Sequence, residues 1–194
     1  MGYFEIRENL AVGYPIRRYP PLGELGFKDG ELLDLPADTV LRFGVDCPAD
    51  AFPGHFFNGT IPVMSAKLIE ALRAAGIDNF QIFPAILIGT GGAEWTGYFA
   101  FNAVGLVDSL DLAKSDDGIE VMPGGDDGPP ALCSFDHPVV DPQKARGLLM
   151  FREVKMPPLL VFDDRLERFL AELRPPEGWG IRLRYLNEKY DPRE

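Results

Sequence analysis

The sequence predicts an α+β domain in which a mixed sheet of short strands is covered by two main helices. The chain has 194 residues, and its 21 glycines and 18 prolines divide the apolar residues into strand-length runs. In addition, the segment PVMSAKLIEALRAAG, from Pro62, is matched in pattern by LLVFDDRLERFLAEL, from Leu159. We therefore expect a single domain over residues 1–194 that uses a degenerate helix–strand unit twice.

The first part of the chain, residues 1–36, is predicted to be irregular. YFEIRE, from Tyr3, alternates as a strand does, and the Gly- and Pro-rich residues after it indicate turns. TVLRFGV, at 39–45, is a stronger strand candidate. The segment from Cys47 to Pro62, in which Pro and Gly stand among aromatic residues, is typical of a loop.

The first helix is predicted to begin after Ser65, whose hydroxyl suits an N-cap. Leu68, Ile69 and Leu72 fall on one helical face, which is the pattern of a face buried against a sheet. Gly76 follows the stripe, and glycine adopts the left-handed conformation that ends many helices.

Strands are predicted to follow the first helix. NFQIFPAILIG is a strand candidate with a Pro-marked bend, and YFAFNAVGLVDSL is either a strand pair or one long bent strand. Residues 114–130 predict an acidic loop rich in Gly and Pro, with IEVM as a short strand inside it.

The C-terminal part is predicted to contain strands at ALCSF and GLLMFREV and then the second unit. Its helix is expected over about 163–173, capped by Asp163 and stopped by Pro175 and Pro176. WGIRLRYL alternates as a closing strand.

The charge balance bears on partners. Thirty acidic and nineteen basic residues give a formal net charge of −11. Such a surface repels nucleic acid and anionic lipid and attracts a basic partner, although an acidic surface that serves only solubility is an alternative. The apolar runs fall far short of the ~20 residues of a membrane span, so we expect no membrane-spanning segment.

Few residues point to catalysis or to a cofactor. His55 stands among aromatic residues, and His137 lies in the turn-like sequence SFDHP. Cys47 and Cys133 lack metal-ligand spacing, and GTGGAEW lacks the third glycine and the following helix of a dinucleotide-binding turn. We therefore expect no cofactor and no metal site, and no catalytic residues.

An acidic cluster is the main candidate for partner binding. Its spacing does not fit an EF-hand, and a solvated loop, a cation site and a partner-facing surface stay open as alternatives. Trp95 joins the set because a half-exposed tryptophan often anchors an interface, although a core position is the alternative. The candidate acids are Asp108, Asp111, Asp116, Asp117, Asp126 and Asp127.

Three segments resemble a bacterial protein family. YFAFNAVGLVDSLDLAKS, from Tyr98, is similar to a pattern of an aromatic pair, Asn, apolar residues and two spaced Asp found in the eleventh of the numbered polymorphic-toxin immunity families. PVMSAKLIEALRAAGIDNFQIFP resembles that family's helix and following strand, and PPLLVFDDRLERFLAEL with GWGIRLRYL resembles its C-terminal unit.

The resemblance implies a non-enzymatic cytosolic protein that binds and blocks a cognate protein toxin, with no catalytic residues. It covers about residues 60–115 and 147–187. Two alternatives remain: a small-molecule-binding or hydrolytic enzyme in which His55 meets an acid such as Glu94, and a scaffolding subunit. The sequence leaves open whether the protein is a monomer or a dimer.

Overall fold

The computed structural model describes residues 2–9, 11, 13–21, 26–116, 118–124 and 131–186. Within these residues, short strands dominate and three α-helices join them, which confirms the predicted α+β class. The helices are α1 (Ala66–Ala74), α2 (Pro142–Ala145) and α3 (Arg165–Glu172). The strands are β1 (Tyr3–Glu8), β2 (Ile16–Arg18), β3 (Leu41–Val45), β4 (Phe56–Asn58), β5 (Pro62–Ser65), β6 (Phe80–Ile88), β7 (Glu94–Ala103), β8 (Leu106–Val107), β9 (Ile119–Met122), β10 (Leu132–Ser134), β11 (Met150–Glu153), β12 (Met156–Asp163) and β13 (Ile181–Tyr185).

The strands form two large sheets and one separate hairpin. The six-stranded sheet has the order β2-β3-β6-β7-β5-β4, and the five-stranded sheet has the order β13-β1-β12-β11-β8. β9 and β10 pair with each other as a two-stranded sheet. Most neighbours are antiparallel, but β3 runs parallel to β6 and β8 runs parallel to β11.

One apolar cluster joins both sheets to the two longer helices. It contains Leu68 of α1, Leu166 of α3, Phe101 of β7 and Phe162 of β12. Because side chains alternate along a strand, the neighbouring residues of β7 and β12 face away into two outer clusters, one on each sheet. The helices therefore hold the two sheets together through a shared core.

Helix α1 forms as the sequence predicts. Ser65 is its N-cap, and the Leu68 N–H donates to Ser65 Oγ at 3.3 Å. At the other end Gly76 is left-handed, with φ 87°. The Gly76 N–H donates to the Arg73 carbonyl and the Ile77 N–H to the Leu72 carbonyl, which is a Schellman ending.

Helix α3 begins later than predicted, and the prediction that Asp163 caps it is wrong. Asp163 ends β12, where it pairs with Tyr3, and Asp164 is the N-cap. The Asp164 carboxylate makes no capping bond to the helix and instead accepts from the Gly2 N–H. The buried Asp163 carboxylate instead accepts bonds from the Arg165 backbone N–H, at 3.0 Å, and from Arg165 Nε, at 2.6 Å. The chain stays extended at Asp163 because this residue pairs with Tyr3 in the five-stranded sheet.

The repeated unit is a strand, a helix and a second strand. In the first unit, β5, α1 and β6 follow one another, and β7 lies between β5 and β6 in the sheet. In the second unit, β12, α3 and β13 follow one another, and β1 lies between β12 and β13. The first 36 residues thus supply a central strand of the second unit, as well as β2.

No helix among the described residues is long and apolar enough to cross a membrane.

Candidate partner-binding surface

Two stretches of the chain run side by side as an antiparallel ribbon, here called the acidic ribbon, made of residues 109–124 and 131–141 where described. At its distal end β9 pairs with β10. Nearer the five-stranded sheet, the Asp111 N–H donates to the Val139 carbonyl and the Asp141 N–H donates to the Ser109 carbonyl, both at 2.8 Å. The predicted acidic loop at 114–130 is therefore, in its described part, one side of this ribbon.

The base of the acidic ribbon is fixed by a buried carboxylate. Glu153 of β11 is fully buried, and its Oε2 accepts from the Ser109 backbone N–H at 2.8 Å and from Ser109 Oγ at 2.5 Å. Its Oε1 accepts from the Lys155 N–H at 3.1 Å. Leu110 and Val140 are also buried and form a β-bridge. The base of the ribbon is therefore rigidly attached to the domain.

The described candidate acids lie at or near the start of the ribbon, and each has a partner. Asp108 is exposed, and its Oδ1 lies 2.6 Å from Lys155 Nζ. Asp111 pairs with Lys114 at 2.7 Å, and the hydrogen bond from Lys114 holds the pKa of Asp111 below its ordinary value. Asp116 Oδ1 accepts from the backbone N–H of His137 at 2.9 Å.

These pairs leave the surface acidic. Residues 106–124 contain five acids and one lysine, so nearby cations offset only part of the negative charge. The structure thus brings Asp108, Asp111 and Asp116 together along one stretch of chain. Asp117, Asp126 and Asp127 lie outside the described residues.

Exposed apolar side chains stand beside these acids, and the sequence analysis did not single them out. Ile119 is 73% exposed, Val121 67% and Met122 53%, and Leu112 near the base is 52% exposed. The pairing of β9 with β10 shifts register at this point, where two steps along β9 match one step along β10. Such a bulge twists a strand and redirects its side chains.

Trp95 lies on a different sheet from the acids. It belongs to β7, opposite Leu87 of β6, and its half-buried ring packs against the outer cluster of the six-stranded sheet. Gly89 approaches this ring so closely that an added Cβ would lie 2.4 Å from it. The contact makes Trp95 part of the packing of its own sheet.

His55 forms a second polar cluster where the two repeated units meet. Its ring is 2% exposed and lies between Phe52 and Trp179, with centroid distances of 4.7 and 5.2 Å. Nδ1 lies 2.7 Å from Ser65 Oγ, and Nε2 lies 3.3 Å from Glu177 Oε1. The expected partner Glu94 pairs with Arg42 instead, so that part of the prediction is wrong.

Burial controls the protonation of His55. Removal from water lowers the pKa of His55, and the nearby Glu177 carboxylate offsets only part of that effect. A neutral ring facing Glu177 through Nε2–H accepts at Nδ1, so the Ser65 hydroxyl donates to it. Ser65 Oγ also caps α1, so one hydroxyl serves both contacts.

The other candidates from the sequence occupy surface or packing positions. Thr90–Gly92, within GTGGAEW, form a short 3₁₀ turn that leads into β7. Cys47 is buried and Cys133 partly buried, and neither forms a disulfide. Among the described residues, no group of three His, Cys, Asp or Glu side chains is placed to hold a metal ion.

No protein-family model matches this chain, and no curated protein matches it.

Proposed function

We propose that this protein is an immunity protein, which binds a cognate bacterial toxin and neutralises it by occluding its active cleft. The observation that carries the proposal is the end of the acidic ribbon formed by β9 and β10, where exposed apolar side chains lie among acidic residues. The resemblance of three chain segments to a toxin-immunity family supports the same function.

The apolar side chains supply the attachment in this proposal. Monomeric proteins expose single apolar residues routinely, but Ile119, Val121 and Met122 are consecutive or nearly so and each is more than half exposed. Their burial under a partner removes apolar surface from water, which stabilises a complex by about 25 cal/mol per Å² before ordering costs. A few such anchors determine how long a complex lasts.

The negative charge supplies selection and speed. With a net charge of −11, the protein attracts a toxin whose cleft is basic, as a cleft that binds nucleic acid or nucleotide must be. Charge of this kind raises the association rate, and salt screens it. The complex should therefore form more slowly as ionic strength rises, with a smaller effect on its dissociation.

The test of the function is rescue of growth. The reading frames next to this gene are searched for a protein with a C-terminal toxin module. That module is expressed in a bacterial host with and without this protein, and the two proteins are then co-purified. We expect growth only in the presence of this protein and a stable complex in solution. Continued killing, or failure to form a complex, would refute the proposal.

Charge reversal tests the assigned surface. The ribbon variant changes two exposed acids to Lys, Asp108 beside the base of the ribbon and Glu120 on β9, and a matched control changes the exposed acids Asp34 and Asp38 to Lys. The net charge changes equally, so overall attraction falls equally in both. We expect the ribbon variant to associate with the toxin about tenfold or more slowly than the control variant. Equal rates would move the binding surface elsewhere.

The Ser65–His55–Glu177 cluster favours a second candidate, a hydrolase of small esters. A hydroxyl that donates to a neutral imidazole, with a carboxylate behind the ring, is the arrangement of a base-activated nucleophile. The test is hydrolysis of p-nitrophenyl esters by the wild type, Ser65→Ala and His55→Asn. Turnover that both changes abolish would establish the enzyme, and equal background rates would reject it.

A further inference from the structure

We propose that the outer edge of β9 receives an extended, basic segment of the partner, which adds to the hairpin as a third strand. The proposal deepens the proposed function and rests on it for the identity of the partner. It concerns the backbone of Ile119–Met122 and the acidic and apolar side chains around it.

The edge of β9 is open in the described structure. Within the described residues β9 pairs only with β10, so its other side presents backbone N–H and C=O groups that no strand uses. The far side of β10 is different, because the Cys133 N–H donates to the Lys155 carbonyl at 2.5 Å. One edge of the hairpin is therefore held against the domain and the other faces outward.

The strand is short, bulged and carries Glu120, but within the described residues its edge lacks three other features by which proteins prevent strand addition. Edge strands are commonly protected by lysine, by proline or by a covering loop. β9 carries no lysine or proline, and all four of its side chains are exposed, three of them apolar. Pro123 lies directly after the strand and limits the usable edge to about four residues, which suits a short extended segment.

Charge identifies the occupant. Five acids and one lysine lie within residues 106–124, and Glu120 stands on β9 itself. A second copy of this chain would bring the same acidic segment to the same edge, and the like charges would repel. A segment that alternates Lys or Arg with apolar residues instead places cations near the acids and apolar side chains against Ile119 and Val121.

Strand addition would divide affinity and specificity between backbone and side chains. The backbone pairs of the added strand supply affinity, and the alternate side chains select the sequence. The fixed base of the ribbon supports this mode, because Glu153, Ser109 and Leu110 are buried and hold the hairpin in place. The hairpin therefore loses less conformational freedom when the partner binds.

The first experiment uses a synthetic probe, so that it does not depend on the toxin. An alternating Lys–Val peptide of about eight residues is compared with the same peptide N-methylated at every residue and with a Glu–Val peptide. We expect the Lys–Val peptide alone to bind and to slow amide hydrogen exchange in β9 about tenfold at saturation. Equal binding of the methylated peptide would overturn the proposal, because that peptide cannot pair as a strand.

Side-chain variants test the position of the site. Ile119→Thr with Val121→Thr keeps β-branched residues in the strand but removes apolar contact, and Leu32→Thr with Val40→Thr is the matched control on exposed residues elsewhere. We expect about tenfold weaker binding of the Lys–Val peptide by the first pair only. Circular dichroism confirms that both variants are folded. Equal affinities would overturn the proposal.

The toxin complex separates this inference from the proposed function. If a toxin is bound and neutralised while exchange in β9 is unchanged, strand addition is wrong and the immunity function stands. If the peptide binds as expected but no toxin is neutralised, the edge is a strand-binding site and the immunity function is wrong. Sedimentation analysis tests for a dimer. If the wild type is a dimer and the double variant Ile119→Thr with Val121→Thr is a monomer, a second copy of the chain occupies the edge and the proposal is overturned.

Discussion

The two strand–helix–strand units have the same order of elements but obtain their central strand differently. In the first unit β7 lies between β5 and β6 and comes directly after β6 in the chain. In the second unit β1 lies between β12 and β13 and comes from the other end of the described chain. The repeat is therefore one of architecture, because the same layout is completed by a local strand in one unit and by a distant strand in the other.

The junctions between strand and helix also differ in chemistry. Ser65 and Asp163 stand at equivalent positions, and each accepts a backbone N–H from the following helical turn. Ser65 completes its hydrogen bonding with the buried His55, whereas Asp163 completes its own with the half-exposed Arg165. One junction is thus uncharged at neutral pH and the other is an ion pair.

The largest expected effects test whether the units share one core. Leu68→Ala and Leu166→Ala each remove a fully buried side chain from the common cluster, so each should lower the free energy of unfolding by about 2–5 kcal/mol. Denaturation is followed by tryptophan fluorescence and circular dichroism. The exposed Glu70→Ala and Arg168→Ala are controls, expected within about 0.5 kcal/mol of wild type.

One cooperative transition is expected in each of these variants, because the helices of both units lie in the same cluster. Two separate transitions in Leu166→Ala would mean that the second unit unfolds alone, and the chain would then contain two domains.

The next effects compare the junction residues. Asp163→Ala removes the three hydrogen bonds that Arg165 donates to a buried carboxylate and should cost about 2–3 kcal/mol. Ser65→Ala removes the cap of α1 and leaves His55 Nδ1 without its partner, at a cost of about 1–2 kcal/mol. Ser65→Thr, which keeps a hydroxyl, is the control for the second change. Stability is measured by thermal denaturation. If Ser65→Thr lowers stability as much as Ser65→Ala does, the hydroxyl does not have the role assigned to it.

The helix ends give a smaller difference. Gly76 has φ 87°, which disfavours any residue with a Cβ, so Gly76→Ala should destabilise the protein by about 1 kcal/mol. Arg174 is the equivalent residue after α3 and is not among the residues with positive φ. Arg174→Ala should therefore stay within about 0.5 kcal/mol of wild type in urea denaturation. Equal losses would show that the two endings are not distinct.

The smallest expected effect near neutral pH is the dependence of the free energy of unfolding on pH. The two strand–helix junctions should show this dependence in different pH ranges. Burial lowers the pKa of His55, so the unfolded chain binds this proton more tightly. The contribution of His55 is complete above its ordinary pKa of 6.5 and is lost as pH falls below that value. For Asp163, burial alone would raise the pKa, but the hydrogen bonds from Arg165 have the larger effect, so the pKa of Asp163 lies below its ordinary value. Its contribution is lost only as pH falls below 3.8.

Substitution assigns each slope to its residue. His55→Asn should remove the loss of stability that begins below about pH 6.5, whereas His137→Asn should keep it. Asp163→Asn should lower stability at neutral pH and remove the part of the slope that lies below about pH 3.8. Urea denaturation across the pH range provides the measurement, and a slope that survives in His55→Asn would assign it to another group.

Local signals made much of the fold predictable. Ser65 and Gly76 indicate the two ends of α1, and IEVM indicates β9 between polar residues. These signals can be read from the sequence because helix caps and strand alternation depend on only a few neighbouring residues. The late start of α3 was not predictable in this way, since Asp163 has the residue type of a cap. Its pairing with Tyr3 in the sheet decides its conformation, and that pairing joins distant parts of the chain.

The same distinction applies to the candidate sites. Asp108, Asp111 and Asp116 could be grouped from the sequence because they lie close together along one short stretch of chain. The sequence did not predict that Glu177 would face His55, because only the folded structure brings the loop after α3 to His55. The exposure of Ile119 and Val121 likewise depends on what the rest of the chain leaves uncovered.

The position of β1 sets an order of events during synthesis. Tyr3–Glu8 leaves the ribosome before the other described strands, but its neighbours in the sheet, β12 and β13, are the last two of the described strands to be translated. The first unit has all three of its strands once β7 has emerged, and it can form while translation continues. The N-terminal residues must wait unpaired until then, so a nascent chain that stalls before β12 exposes a strand that has nothing to join.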